Sequence, residues 1–261
     1  MSILTKILVP FDSSPTSENA LLYAIDFMQI NKGSVLQLAH IKSAPEEEYD
    51  PKIHFERIMA SIKNPPKIEV VFLTAEGALI DNLIKFQQEY DSDLIIMGTK
   101  GVERGAEDNL ETNTSRLVLE ADCAVIVVPQ DYESFNIKKI ALTIGDNPIN
   151  EPKVLNVLLD ISRTFDAKVF ALTVDDPTSP HVAVNEKNEG TLDYYLESFY
   201  AVHSYPENED MLEGIFDYVN KNEIDLLAIL PRNHVESANA SEGRLTKSLT
   251  LHSKVPVLAI D

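Results

Sequence analysis

The segment DLIIM at 93–97 is echoed by DLLAIL at 225–230, and CAVIVV at 123–128 by VPVLAI at 255–260. One shift of 132 places does both, and under it residues 93–128 align on 225–260 without a gap. Asp93, Leu94, Ala106, Thr114, Leu117, Leu119 and Val125 then meet identical residues. The opening of each half also matches, TKILVPF at 5–11 against KKIALTI at 138–144. Self-similarity over a whole domain reads as duplication and fusion. The 261 residues therefore divide into a domain at 1–131 and a second at 135–261, with the linker near QDYES at 130–134. Whatever fold one copy takes must suit the other.

That fold is α/β. ILVPF at 7–11, LIIM at 94–97 and VIVV at 125–128 are continuously apolar; VLQLAHI at 35–41 and IEVVFL at 68–73 are mostly so. Short unalternating runs rich in Val and Ile suit strands buried on both faces, as in a parallel sheet. Helical patterns separate them. Ser14 before Pro15 predicts an N-cap with Pro at the first helical position, and Leu21, Ala24, Ile25 and Met28 recur on one face. Gly77 to Tyr90 is a second helix, with Leu79, Leu83, Ile84 and Phe86 as its stripe. Asn113 or Thr114 is expected to cap another helix, running to Ala121. Strand and helix alternate through five strands, which gives a doubly wound layer. The second half follows suit. Its helices are VLNVLLDISRTFD at 154–166 and MLEGIFDYVNKN at 211–222, and its inner strands are KVFALTV at 168–174 and FYAVHS at 199–204. DDPTSPHVAVNEKNEG at 175–190, polar and Pro-containing, reads as a surface excursion.

Net charge narrows the partners. Asp and Glu outnumber Lys and Arg 42 to 22, a formal charge of -20. Phosphate backbones are held by Lys and Arg, so neither nucleic acid nor an acidic membrane surface is the expected partner. The first residues, MSILTKILVPFD, follow no signal-peptide plan, and no apolar stretch reaches membrane-spanning length. With Cys123 the single cysteine, set in an apolar run where a thiol acts as a small hydrophobe, the expected compartment is the cytoplasm.

In an open parallel sheet ligands bind beyond the carboxyl ends of the strands where the winding reverses. If strands one and four are neighbours there, Asp12 and Gly98 face one crevice. A carboxylate at 12 can accept hydrogen bonds from a ribose or an adenine amino group. Gly98 and Gly101 carry no Cβ, so their backbone can approach a ligand. The free N–H groups of the helix starting near Asn113 would point at the same space, which suits an anion.

The stretch MGTKGVERGAEDNLETNTSRLV at 97–118 resembles the universal stress protein family, whose ATP-binding branch carries G-x2-G-x9-G-[S/T] after the fourth strand. Gly98 and Gly101 match the first two glycines and Thr112 the hydroxyl residue. Asp12 matches the aspartate after strand one, and Ile41 the residue whose backbone meets adenine. The resemblance implies tandem five-stranded domains packed against one another, a stress-survival role by binding and regulation, and an adenine-nucleotide site for ATP or AMP, with Mg²⁺, in the first. Pro10, Met97, Asn113 and Val128 complete the implied site. It also implies association through the last strand of each unit, which allows a homodimer.

Glu111 stands where the family's third glycine should be. A carboxylate is favourable near a helix start, by roughly 0.3–1 kcal/mol, so Glu111 is expected to take the seat of the outer phosphates. Glu107 and Asp108 add repulsion, while Lys100, Arg104, Arg116 and Mg²⁺ offset part of it. The second half has drifted further: Gly98 becomes Leu230, Gly101 becomes Asn233, Thr112 becomes Arg244, and Asp12 aligns with Gly145, although Gly243 is kept. No nucleotide is expected there. Arg232, His234 and Arg244 would instead form a basic pocket for an acidic small molecule, or simply a solvated loop end. A P-loop, a GxGxxG turn, a nucleophile elbow and zinc-ligand spacings are all missing from the sequence. His40 and His203, in or near strands, read as satisfied and partly buried. Two alternatives stand beside the nucleotide module: action through protein–protein contact without nucleotide, and slow hydrolysis of a nucleotide-like substrate, for which no acid–base pair is visible.

Overall fold

Each apolar run of the first half becomes a strand, and each is parallel to its neighbours. In the computed structural model these are β1 (Lys6–Pro10), β2 (Val35–Lys42), β3 (Glu69–Glu76), β4 (Leu94–Thr99) and β5 (Ala124–Pro129). Residues 2–42, 50–101, 112–145, 149, 151–175, 177, 185–231 and 240–260 are described. The described residues form two compact units, 2–100 with 112–135, and Gly101 with the residues from Asn136 on. Within the first, the order is β3-β2-β1-β4-β5. Ile7 and Leu8 of β1 stand in register with Leu94 and Ile95 of β4, and all four are fully buried. Burying one such side chain stabilises by roughly 1.5–3 kcal/mol.

The helices α1 (Pro15–Ile30), α2 (Pro51–Ser61), α3 (Leu79–Glu89) and α4 (Asn113–Glu120) fill the crossovers. Ser14 caps α1, its hydroxyl accepting from Ser17 N, with Pro15 in the first turn. Leu21, Ala24, Ile25 and Met28 all face the core. Asp50 caps α2 from the end of the acidic run EEEYD by accepting from Lys52 N. The stripe on α3 runs through Ile80, Leu83 and Phe86, one place on from the expected Leu79.

The second unit repeats the plan. Its strands are β6 (Lys139–Thr143), β7 (Lys168–Leu172), β8 (Tyr200–Ser204), β9 (Leu226–Ile229) and β10 (Val257–Ala259), in the order β10-β9-β6-β7-β8 and parallel throughout. Its helices are α5 (Leu155–Phe165), α6 (Asn185–Leu196), α7 (Met211–Asn222) and α8 (Ala240–His252). The Asp210 carboxylate caps α7 through Leu212 N and Glu213 N, so the acidic run ENED is a helix start.

One expectation is corrected here. Residues 185–190, read as part of a surface excursion, open α6. Among its described side chains, Asn188, Leu192 and Leu196, spaced by four, are buried. Only two of those three are apolar, which is too faint a stripe to outweigh the polar composition around it.

A clasp shared by both units ties the start of the central strand to the strand beside it. The Asp93 carboxylate accepts from Thr5 N at 2.8 Å, Thr5 Oγ1 at 2.8 Å and Lys6 N at 2.9 Å. The Asp225 carboxylate accepts from Lys138 N at 2.9 Å, Lys139 N at 2.8 Å and Asn136 Nδ2 at 2.7 Å. The lysines that begin the two strands reach matching carbonyls, Lys6 that of Tyr90 and Lys139 that of Asn222, each at 3.0 Å. A hydrogen-bonded aspartate repeated at matching places is what copied folds require.

Candidate functional site

The winding of the first unit reverses between β1 and β4, and there the chain leaves β1 at Asp12. Phe11 still belongs to the sheet: its N–H donates to Ala39 O at 2.8 Å, and its carbonyl lies 3.0 Å from His40 Nδ1. Ser13 then turns left-handed, φ 59°, and α1 begins. Pro10 is in register with Ala39, which puts half-buried Ile41 of the neighbouring strand level with Asp12. On the other side, Met97 and Gly98 lie near the end of β4, opposite Val127 and Val128 of β5. The structure thus brings Pro10, Asp12, Ile41, Met97, Gly98 and Val128 to the carboxyl ends of four adjacent strands.

Asp12 is bound up with its own helix. Its Oδ1 accepts from Ser17 Oγ at 2.7 Å and from Ser14 N at 3.0 Å. Desolvation raises its pKa, but the hydrogen bonds from Ser14 and Ser17 outweigh that and hold the carboxyl below its ordinary value. Ser17 was not singled out in the sequence; its place one helical turn past Asp12 is the signal that marks it.

Gly98 has a requirement of its own. A Cβ there would stand 2.3 Å from the carbonyl oxygen of Thr16 and 2.9 Å from its carbonyl carbon. The first turn of α1 comes so close to β4 that only glycine fits, whatever binds above. Thr16 is held in that position by its hydroxyl, which donates to Gln130 Oε1 at 2.7 Å. Gly101 adopts φ +67°, the left-handed region that favours glycine.

The start of α4 also differs from expectation. Thr112, not Asn113 or Thr114, is the N-cap. Its hydroxyl accepts from Ser115 N at 3.1 Å, and Ser115 Oγ accepts from Thr112 N at 3.1 Å. This reciprocal pair satisfies two helix-start donors at once. A Ser at the third helical position does here what Glu or Gln usually does, which hid the signature. Asn113 is exposed in the first turn.

Charge around the loop is only partly available. Arg116 is already paired, its guanidinium 2.7 Å from both Asp81 and Glu120. Lys100 is exposed. Arg104, Glu107, Asp108 and Glu111 lie outside the described residues, as do Arg232, Asn233 and His234. Arg244, the remaining member of the suggested basic pocket, sits exposed on α8. Leu230, where the first unit has Gly98, is half-buried. In that unit the α-helix after the first strand opens only at Leu155, behind a 3₁₀ turn at Pro152–Val154. Burial, with Asp93 and Asp122 adding to it, pushes the Cys123 thiol up to about 12, which disfavours the thiolate.

The first unit has one more mark of kinship. Residues 4–129, the whole five-stranded layer, match the model of the universal stress protein family. The first unit thus resembles the domains of that family; the match covers 126 of the 261 residues. Among curated proteins no sequence matches. Solved structures extend the likeness of fold to both units. A universal stress protein from Archaeoglobus fulgidus DSM 4304 superposes with a TM-score of 0.65 at 11% identity, over 97% of this chain and 95% of that one. A protein of unknown function from Pseudomonas aeruginosa PAO1 gives 0.64 at 14% identity, over 98% and 92%. The cytoplasmic domain of a prokaryotic cation chloride cotransporter gives 0.56 at 10% identity, over 98% and 95%. The universal stress protein fold therefore occurs in a transporter's domain as well, and fold alone does not name an activity.

Proposed function

We propose that the first unit is a regulatory binding module for an adenine nucleotide, ATP or AMP, and that the second unit binds none in the same manner. What supports this reading is that Asp12 and Gly98 stand at the carboxyl ends of the neighbouring strands β1 and β4, at the switch point where open α/β sheets take their ligands. Asp12 would accept from the ribose or the adenine amino group, and the backbone at Ile41 would meet the base. Pro10, Met97 and Val128 would line the floor. Gly101, Thr112 and Asn113 would lie along the phosphates, with Mg²⁺ as counter-charge. Occupancy, not turnover, is the signal.

Calorimetry with ATP and with AMP, each with Mg²⁺, tests it directly. The expected result is binding in the micromolar to millimolar range, weakened about tenfold or more in Asp12→Ala, the loss of one charge-assisted contact. Freshly purified protein should carry nucleotide in native mass spectra. No bound nucleotide and no thermal shift at millimolar Mg-ATP would reject it, since any ligand of the folded state raises stability by mass action.

A second reading has an observation of its own. Gly98 and Thr112 each do a job inside the fold, and so does one oxygen of Asp12. A member that had lost its nucleotide would keep them for that reason alone and act through protein contact.

A further inference from the structure

Each unit pins the peptide at which its first strand ends, using a buried side chain from its second strand. In the first unit Phe11 N donates to Ala39 O at 2.8 Å, and the next residue along β2, His40, brings Nδ1 to 3.0 Å from the Phe11 carbonyl oxygen. A carbonyl oxygen can only accept, so Nδ1 carries the hydrogen. In the second unit Ile144 N donates to Leu172 O at 2.9 Å, and the next residue, Thr173, donates its hydroxyl to the Ile144 carbonyl at 2.9 Å. Pro10 pairs with Ala39 and Thr143 with Leu172, so His40 and Thr173 hold the same place in their sheets. Each is only 3% exposed. Two unlike side chains thus make one hydrogen bond to one carbonyl. What the copies share is the donor, not the ring.

In the first unit the pinned peptide carries a side chain that matters. Across the same amide from the Phe11 carbonyl is the N–H of Asp12, which donates to Ser17 Oγ at 3.3 Å. The Ser17 hydroxyl gives its own proton to Asp12 Oδ1 at 2.7 Å. The C=O and N–H of a trans peptide point opposite ways from one rigid plane. Holding the oxygen on His40 therefore directs the N–H at Ser17, and Ser17 in turn sets the carboxylate. Without that hold the plane is free to rotate about its flanking bonds, because the next residue, Ser13, is left-handed at φ 59° and α1 has not yet begun. In the second unit the matching residue is Gly145, which has no side chain to aim.

We infer that His40 is a positioning residue: its Nδ1–H, by holding the Phe11–Asp12 peptide, sets the direction in which the Asp12 carboxylate faces a ligand at the strand ends. That this ligand is an adenine nucleotide rests on the reading proposed above; the hold on the peptide does not.

The second unit supplies the test. His40→Thr gives the first unit the donor that the second unit uses, and His40→Val has the same shape without it. Both vacate the same space where the ring was, so a merely structural role moves both alike. The Asp12 carboxyl, which desolvation raises and the hydrogen bonds from Ser14 and Ser17 bring below its ordinary value, is followed through pH by NMR in each full-length variant. His40→Val should titrate nearer the ordinary value than His40→Thr. It should also bind AMP about five- to tenfold more weakly, the effect of losing one buried hydrogen bond. If neither small residue lets the unit fold, His40→Asn against His40→Leu asks the same question nearer the volume of the ring, with the amide N–H as donor. Equal Asp12 midpoints within a pair, or equal AMP affinities where AMP binds, would overturn the positioning role. An unmodified protein that binds neither AMP nor ATP would overturn the nucleotide reading instead, and the midpoints would still decide the role of His40.

Discussion

Gly98 shows how one residue invites two explanations. In the sequence its place in a glycine motif spoke only of a ligand; in the structure the Thr16 carbonyl already claims the space. Gly98→Ala should therefore destabilise the first unit in the absence of any ligand, by roughly 2–3 kcal/mol, because the atom it strikes is backbone and cannot rotate away. Urea unfolding of the ligand-free protein checks this. Unchanged stability would return the glycine to a purely ligand-facing role. The same argument gives a reason for Leu230: in the second unit the α-helix opens at Leu155, later than its counterpart α1, so a side chain there need not meet an equivalent carbonyl. Asp12 stood out as a candidate because it directly follows an apolar run. Its partners Ser14 and Ser17 were not, since serines near a helix start read first as caps. Its carboxyl pKa is depressed, so the stability it lends α1 is present above the ordinary carboxylate value and is lost as pH falls through the folded-state value.

Among the elements, the strands were the easiest to read. Runs of Val, Ile and Leu with no alternation mark strands buried on both faces, and each such run is a strand in the structure. The helix starts were less legible. Thr112 caps α4 with Ser115 as its reciprocal partner, a pairing outside the usual Glu or Gln pattern. α6 was concealed by polar residues around a stripe of two leucines. The aspartate clasp was visible only as a pair of identical letters, Asp93 and Asp225, without a role. Each holds three donors at the mouth of its central strand. Asp93→Ala and Asp225→Ala should each cost about 1–2 kcal/mol, since the sites are partly exposed, and should cost nearly the same. Chemical denaturation of the two variants compares them. A large difference would mean the clasps are not equivalent.

For the whole molecule, duplication is the dominant fact. Two units with one strand order have kept the clasp and lost the likeness of their strand ends. The sheet is what the core requires, so it persists; loop ends answer to ligands and drift when a ligand is lost. That contrast is why the fold was legible from sequence while the site was only half so. No helix among the described residues is long and apolar enough to cross a membrane. The proposed nucleotide module implies that the first unit keeps the groups that face adenosine and that Glu111, standing where the family's third glycine would be, competes with the outer phosphates. Titration calorimetry of ATP and AMP against the unmodified chain and Glu111→Gly tests it most directly. Removing the carboxylate should tighten ATP by about tenfold, roughly 1.4 kcal/mol, and leave AMP nearly unchanged. ATP affinity that is unchanged or weaker in Glu111→Gly would contradict the account.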